Sequence, residues 1–224
     1  MKDGKTLYFS PAEFAIMLEL AGEAPCSLLC DSNMPDDVAL TKAFISLFQR
    51  EMIRREEDRL IVSGEGQVFS RIRNAPTAVV MTQRKPNGSE LICYAEGDAL
   101  FLVELTDAIL TRQYRLEALG RPELAVRLFD AGLLDRPVLT DEDVPELAAL
   151  FADELEENAG RPVFRLEKYR NGGELQETYE LRRGKGGDLL YHASETACGT
   201  ELYTTEALLR MLTGCFGKGS YDYC

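Results

Sequence analysis

With 224 residues, 45% of them hydrophobic, and a net charge of −13, the chain is long enough for one large or two small domains and too apolar for wholesale disorder. The acid excess is spread: residues 1–75 carry 9 Lys/Arg against 12 Asp/Glu, and residues 76–224 carry 16 against 26. Neither part is basic, so a phosphate backbone or an anionic membrane is a disfavoured partner, whereas a basic or amphipathic protein is not.

No stretch reaches the roughly 18–20 apolar residues of a membrane span. The opening "MKDGKTLYFSPAEF" sets no apolar run behind its lysines, so no secretory signal is read there. Six cysteines (Cys26, Cys30, Cys93, Cys198, Cys215, Cys224) form no C-x-x-C pair and read as reduced thiols of a cytoplasmic protein.

In "SPAEFAIMLELAG" Ser10 is a cap, Pro11 suits the first turn, and Glu13 is placed to reach back to the Ser10 amide. Phe14, Met17, Leu18 and Ala21 make one apolar face, and Gly22 ends the helix. After an irregular piece around "CSLLCDSNMP", a second helix starts near Asp36 and Asp37, with Leu40, Ala43, Phe44, Leu47 and Phe48 as its stripe. A charged turn then leads to a short strand, Leu60–Val62, then "SGEGQ" and a helix through Phe69 and Ile72. This run resembles a winged helix over residues 1–75. A recognition helix needs donors for bases, but "DDVALTKAFISLFQREMIRR" offers only Lys42 before its last arginines. Arg50, Arg54, Arg55 and Arg59 are offset by Glu51, Glu56, Glu57 and Asp58. Protein contact suits this region better than DNA.

Two stretches then read alike. "RKPNGSEL" (84–91) and "KYRNGGEL" (168–175) each put Asn-Gly, the preferred two-residue hairpin turn, between β-type runs. Gly97-Asp98-Ala99-Leu100-Phe101 matches Gly187-Asp188-Leu189-Leu190-Tyr191, and the helix at Glu123 matches the one at Glu206. Three landmarks in one order predict a duplicated β-β-β-β-α unit, with copies at about 76–133 and 161–217. An acidic connector helix from Asp143, striped by Leu147, Leu150, Phe151 and Leu155, joins them. The expected fold class is α+β: a winged-helix-like domain (1–75), then a pseudo-duplicated antiparallel body (76–224).

Chemistry is sparse. His192 is the single histidine, which leaves a metal site almost no ligands. Its strand context favours a structural role, and Cys198, six residues on, brings no nucleophile-elbow sequence with it. "SGEGQ" lacks the Walker lysine, and "RRGKGGD" reads as a hairpin loop, not a phosphate cradle. No catalytic residue and no cofactor is assigned. The C-terminal helix, "TTEALLRMLTGCFG", concentrates apolar side chains, most of which read as core; any left exposed suit an amphipathic partner helix, and Leu208, Met211, Leu212 and Phe216 are the candidate partner-binding residues.

The paired "NG-x-EL … GD-x-L-[FY] … helix" pattern over about residues 76–217 resembles the EspG-like chaperones of type VII (ESX) secretion. That resemblance implies an internal quasi-two-fold αβ fold and a cytosolic protein that holds helical secretion substrates. Two alternatives stay open: a winged-helix transcription regulator with a C-terminal sensor, and an enzyme of unrecognised type.

Overall fold

The computed structural model describes residues 6–22, 36–83, 90–108, 111–145, 147, 160–170, 173–184, 187–218 and 221. The chain begins with strand β1 (Thr6–Phe9), helices α1 (Pro11–Leu20) and α2 (Asp37–Gln49), and the hairpin β2 (Ile53–Glu56) and β3 (Arg59–Val62). A 3-10 turn (Gly64–Gln67) leads into α3 (Val68–Asn74). Four strands follow, β4 (Thr77–Gln83), β5 (Glu90–Glu96), β6 (Ala99–Ala108) and β7 (Thr111–Gly120), and then α4 (Arg121–Asp130). The same order returns in β8 (Arg161–Arg170), β9 (Glu174–Arg183), β10 (Asp188–Ser194), β11 (Cys198–Leu202) and α5 (Thr205–Phe216).

Nine strands make one sheet in the order β1-β7-β6-β5-β4-β8-β9-β10-β11, and β2-β3 pair apart from it. The order is palindromic: four consecutive strands run one way from β4 and four run the other way from β8. Both Asn-Gly pairs lie outside the described residues, but the strands flanking each are found where expected. Gly97, at φ +59°, makes the turn before β6. Gly184 N–H donates to the Gly187 carbonyl in the turn before β10, so "RRGKGGD" joins two strands as read. Val79–Met81, Leu91–Ala95 and Leu100–Val103 are buried without interruption, so these strands are covered on both faces.

The chain divides into two compact units, Met1–Ala78 with Ile92–Leu119 and Arg170–Glu174, and Val79–Leu91 with Gly120–Tyr169 and Leu175–Cys224. In the first unit Phe9, Phe14 and Phe69 meet edge-on with centroids 5.0–6.2 Å apart, and Phe14 stacks on Tyr114 at 4.2 Å.

The first 75 residues differ from the expected winged-helix order. β1 is committed to the nine-stranded sheet, antiparallel to β7 with Phe9 opposite Tyr114. The charged turn before Leu60 is itself a strand, β2, paired with β3. The stretch 23–35 lies outside the described residues. In the second unit α5 buries Ala207, Leu208, Met211, Leu212, Cys215 and Phe216. The start of the connector docks on the beginning of this helix. Leu139 bridges Thr204, the Thr204 hydroxyl donates to Asp141 at 2.6 Å, and Arg210 donates to Asp141 and Glu201. Leu147 is helical and half-buried, whereas Leu150, Phe151 and Leu155 lie outside the described residues.

Candidate functional site

The surface of interest is the outward face of α2, and a buried carboxylate on α1 decides which face that is. Ser10 caps α1 as its sequence suggests: Glu13 N–H donates to Ser10 Oγ at 3.2 Å, and Ser10 N–H donates to Glu13 Oε2 at 2.6 Å. The other carboxylate oxygen faces α2, where it accepts from Ser46 Oγ at 2.6 Å and from Arg50 Nη1 at 3.1 Å. Burial alone would raise the Glu13 carboxyl. The hydrogen bonds from Ser46 and Ser10, with the Arg50 charge, outweigh that and hold it below the usual carboxylate range.

Arg50 extends the network. Its guanidinium donates to the Tyr8 carbonyl at 3.0 Å and lies 4.8 Å from the Phe9 ring centroid. It therefore satisfies a backbone acceptor on β1, the first strand of the sheet, where a further strand would otherwise add.

With Ser46 and Arg50 turned inward, α2 buries only Ala43 and Leu47, while Leu40 and Phe44 are half-buried. Phe48, expected in the core stripe, is 43% exposed, and Ile45 and Val38 are 53% and 62% exposed. Val38, Thr41, Ile45 and Phe48 follow at spacings of three and four, so they share one line along the helix. Beyond Phe48 this line opens into a cleft of about 550 Å³ lined by Phe48, Glu51, Ile53, Arg54, Arg55, Ser63 and Gly64. The hairpin builds the cleft. Ser63 N–H donates to the Met52 carbonyl at 2.8 Å, and Ser63 Oγ donates to the Glu51 carbonyl at 2.8 Å.

The glycines of "SGEGQ" hold this corner together. Gly64 has φ +50°, and a Cβ on Gly66 would lie 2.4 Å from the Met52 carbonyl oxygen. They serve a turn and a close packing contact.

The four candidate partner-binding residues are buried, in keeping with the core reading of their helix. Leu208, Met211, Leu212 and Phe216 are 0–2% exposed and belong to the core, because α5 turns its wide apolar face inward. Tyr221 closes over the helix end, its hydroxyl donating to the Gly217 carbonyl at 2.8 Å.

His192 lies in a polar group of the second unit. On the sheet it stands opposite Tyr179 on β9 and Gly199 on β11, and its ring stacks on Tyr179 at 4.4 Å. Glu177 accepts from Lys168 Nζ at 2.8 Å and from the Tyr179 hydroxyl at 2.9 Å, with His192 Nε2 at 3.5 Å. Lys168 also donates to the Gly214 carbonyl of α5 at 2.8 Å. Burial opposes ionisation of Glu177, but its bonds from Lys168 and Tyr179 and the nearby charges lower its pKa. Burial first, then Cys215 and Glu177, push Tyr179 far up. The bonds of Lys168 to Glu177 and Gly214 tie α5 to the sheet, while His192 Nε2 is buried with no hydrogen-bond partner. Cys198 pairs with Ala193, the neighbour of His192, so side-chain alternation puts its thiol on the opposite face from the imidazole. That geometry removes the Cys–His couple. Among the described residues no group of three His, Cys, Asp or Glu side chains is arranged to hold a metal ion, and no helix is long and apolar enough to cross a membrane.

Sequence reasoning missed the exposed line on α2, although its own spacing was visible. Helix periodicity locates apolar residues but does not say which of two apolar faces is inward. The inward-facing partners of Glu13 supply that information, and only the folded chain brings them together.

No protein-family model matches the chain, and no curated protein matches it. Among solved structures the chain is similar to the type VII secretion system chaperone EspG5 of Mycobacterium tuberculosis, in complex with a PE25-PPE41 dimer, with a TM-score of 0.54 and 11% identity. The likeness covers 94% of this chain and 95% of the other. That coverage takes in the N-terminal elements as well as the repeated ones, so the fold shared is the whole mixed α/β arrangement with its large antiparallel sheet.

Proposed function

We propose that the chain is a cytoplasmic protein-binding chaperone or adaptor for helical substrates of a type VII secretion system. The observation that carries this reading is the extent of the fold likeness. A chaperone solved with its protein partner shares the architecture end to end, rather than over one common module. A fold alone does not dictate activity, and two further features support the same reading. Glu177, Lys168 and Tyr179 beside His192 are bonded to one another and to the Gly214 carbonyl, and the first unit exposes a line of large apolar side chains beside a cleft.

The palindromic sheet supports a second element of the proposal: the copies at about 76–133 and 161–217 descend from one ββββα unit. The matched Gly-Asp turns and the helices at Glu123 and Glu206 are its remaining marks.

The experiment is affinity capture of the tagged full-length chain expressed at its native level, followed by native mass spectrometry of the eluate. The expected result is a stoichiometric complex with a helix-rich protein. A monomer that emerges without a partner, under conditions that preserve other cytosolic complexes, refutes the chaperone reading.

A further inference from the structure

The nine-stranded sheet ends in β1 on one side and β11 on the other, and an end strand is a template on which a further strand can pair. At the end of β11 the chain itself intervenes. Leu139 bridges Thr204 in parallel, and Thr205 N–H donates to the Leu139 carbonyl at 2.9 Å. At β1 a side chain intervenes instead.

The sequence of β1, Thr6-Leu7-Tyr8-Phe9, lacks the residues that usually blunt an edge. It holds no charge and no proline, and Thr, Tyr and Phe all favour strands. One side of β1 is taken by β7, with Thr6 opposite Glu117 and Phe9 opposite Tyr114. On the other side the Tyr8 carbonyl accepts from Arg50 Nη2 at 3.0 Å. Strand alternation turns the Tyr8 N–H and the backbone groups of Thr6 to that same side. An incoming strand has to displace the guanidinium, because its own amide needs the same acceptor.

Arg50 is not free to yield. Its Nη1 donates to Glu13 at 3.1 Å, and its guanidinium lies 4.8 Å from the Phe9 ring centroid. Glu13 is in turn fixed by Ser10 and Ser46. Moving Arg50 away leaves a largely buried carboxylate without its countercharge, which is costly. The edge is therefore closed by a charge whose position is set from α1.

We infer that Arg50, held by Glu13, is an edge guard that keeps β1 from pairing with β1 of a second copy. A second copy is the indicated occupant because two such strands are self-complementary when antiparallel. With Leu7 at the centre, Thr6 of each copy stands opposite Tyr8 of the other, and one patch meets itself across a two-fold axis. The guard does not depend on the chaperone reading, and it excludes strand addition at β1 as the way a partner is received.

The test is sedimentation velocity of the full chain over a concentration series. Arg50→Gln is too short to reach Glu13 and Tyr8 together. The double variant E13Q/R50M removes the guard along with the charge it neutralises. Both are expected to self-associate about tenfold or more tightly than wild type. Adding Thr6→Pro to either should restore wild-type sedimentation, since proline supplies no donor and is tolerated at the first residue of an edge strand. Thr6→Pro alone should change nothing. Circular dichroism and urea midpoints verify that the variants fold.

A folded Arg50→Gln that sediments as wild type overturns the proposal. So does self-association that survives Thr6→Pro, because the contact then lies elsewhere. A wild-type dimer that Thr6→Pro dissolves also overturns it, since the edge is then open. If neither Arg50 variant folds, Arg50 is an anchor of α2 alone and the guard is refuted.

Discussion

Glu13 provides the most exacting test of how α2 is set. Its carboxylate accepts from Ser10 N–H, Ser46 Oγ and Arg50 Nη1 at 2.6, 2.6 and 3.1 Å, and its side chain is only 10% exposed. Glu13→Gln preserves size and one acceptor oxygen, removes the charge, and turns the second oxygen into a donor facing other donors. A hydrogen bond to a charged group is worth about 1.5–3 kcal/mol, so losing one outright and weakening two costs about 3–5 kcal/mol gross. Relief from desolvating the carboxylate offsets part of this, leaving a net loss of about 2–3 kcal/mol.

The loss depends on pH in a definite direction. The Glu13 carboxyl lies below its ordinary value of 4.5 in the folded chain, so it binds its proton more weakly folded than unfolded. Its contribution is complete above about pH 4.5 and disappears as pH falls through the folded value. Urea unfolding of wild type and Glu13→Gln, followed by far-ultraviolet circular dichroism because the chain has no tryptophan, reads this out. At neutral pH the midpoint should fall by about 1 M, taking a slope of about 2–3 kcal/mol per molar. The gap between the two proteins should narrow below about pH 4.5. A deficit under about 0.5 kcal/mol, or one equally large at pH 4 and pH 7, refutes the argument that Glu13 anchors α2 as a carboxylate.

Other outcomes follow from the same geometry. Gly66→Ala should cost about 2–4 kcal/mol, because its Cβ would sit 2.4 Å from a backbone oxygen that cannot move aside; a urea midpoint within error of wild type would contradict the contact. Leu212→Ala should lose about 2–5 kcal/mol from a fully buried site, whereas Ile45→Ala, half exposed, should stay within about 1 kcal/mol in the same assay. Cys198 is exposed, whereas Cys93 is fully buried with its thiol pushed up by burial. Timed alkylation with peptide mass mapping should therefore label Cys198 well before Cys93.

What was legible in the sequence was local. The Ser10–Pro11–Glu13 cap, the start of α2 near Asp36 and Asp37 and the strand preceding Gly64 depend on neighbours within a few residues. The repeated strands around the two hairpins were readable for the same reason, as each pairs with its successor. β1 was missed although Leu7 and Phe9 alternate with polar contacts, because four residues give little signal and their partner strand lies about a hundred positions away. β2 was missed because a two-stranded hairpin leaves Arg54, Arg55 and Glu56 exposed, which removes the period-two pattern that marks a half-buried strand. The rotation of α2 was the hardest part to read. Phe48 falls in one apolar stripe with Leu40, Ala43, Phe44 and Leu47, yet it is 43% exposed, whereas the apolar residues of α5, which the sequence reads mostly as core, are buried.

That difference has a physical basis. α2 carries more apolar side chains than one buried face needs, so apolarity alone cannot tell which of its surfaces faces inward. Rotation is decided by polar anchors: Ser46 and Arg50, four apart on α2, must reach Glu13, and the Gly214 carbonyl of α5 must meet Lys168. A buried carboxylate or ammonium left without its partner costs more than one exposed aliphatic side chain gains by turning inward. The anchors therefore prevail, and whatever apolar surface they leave outside is fixed in position as firmly as the core. On α5 nothing substantial is left over, since its apolar residues lie on the anchored side. On α2 the anchored side holds Ala43 and Leu47 while Val38, Ile45 and Phe48 fall opposite. The exposure of these three is thus a consequence of the Glu13 network, and a chain that kept its fold but lost that network would have no reason to keep the face.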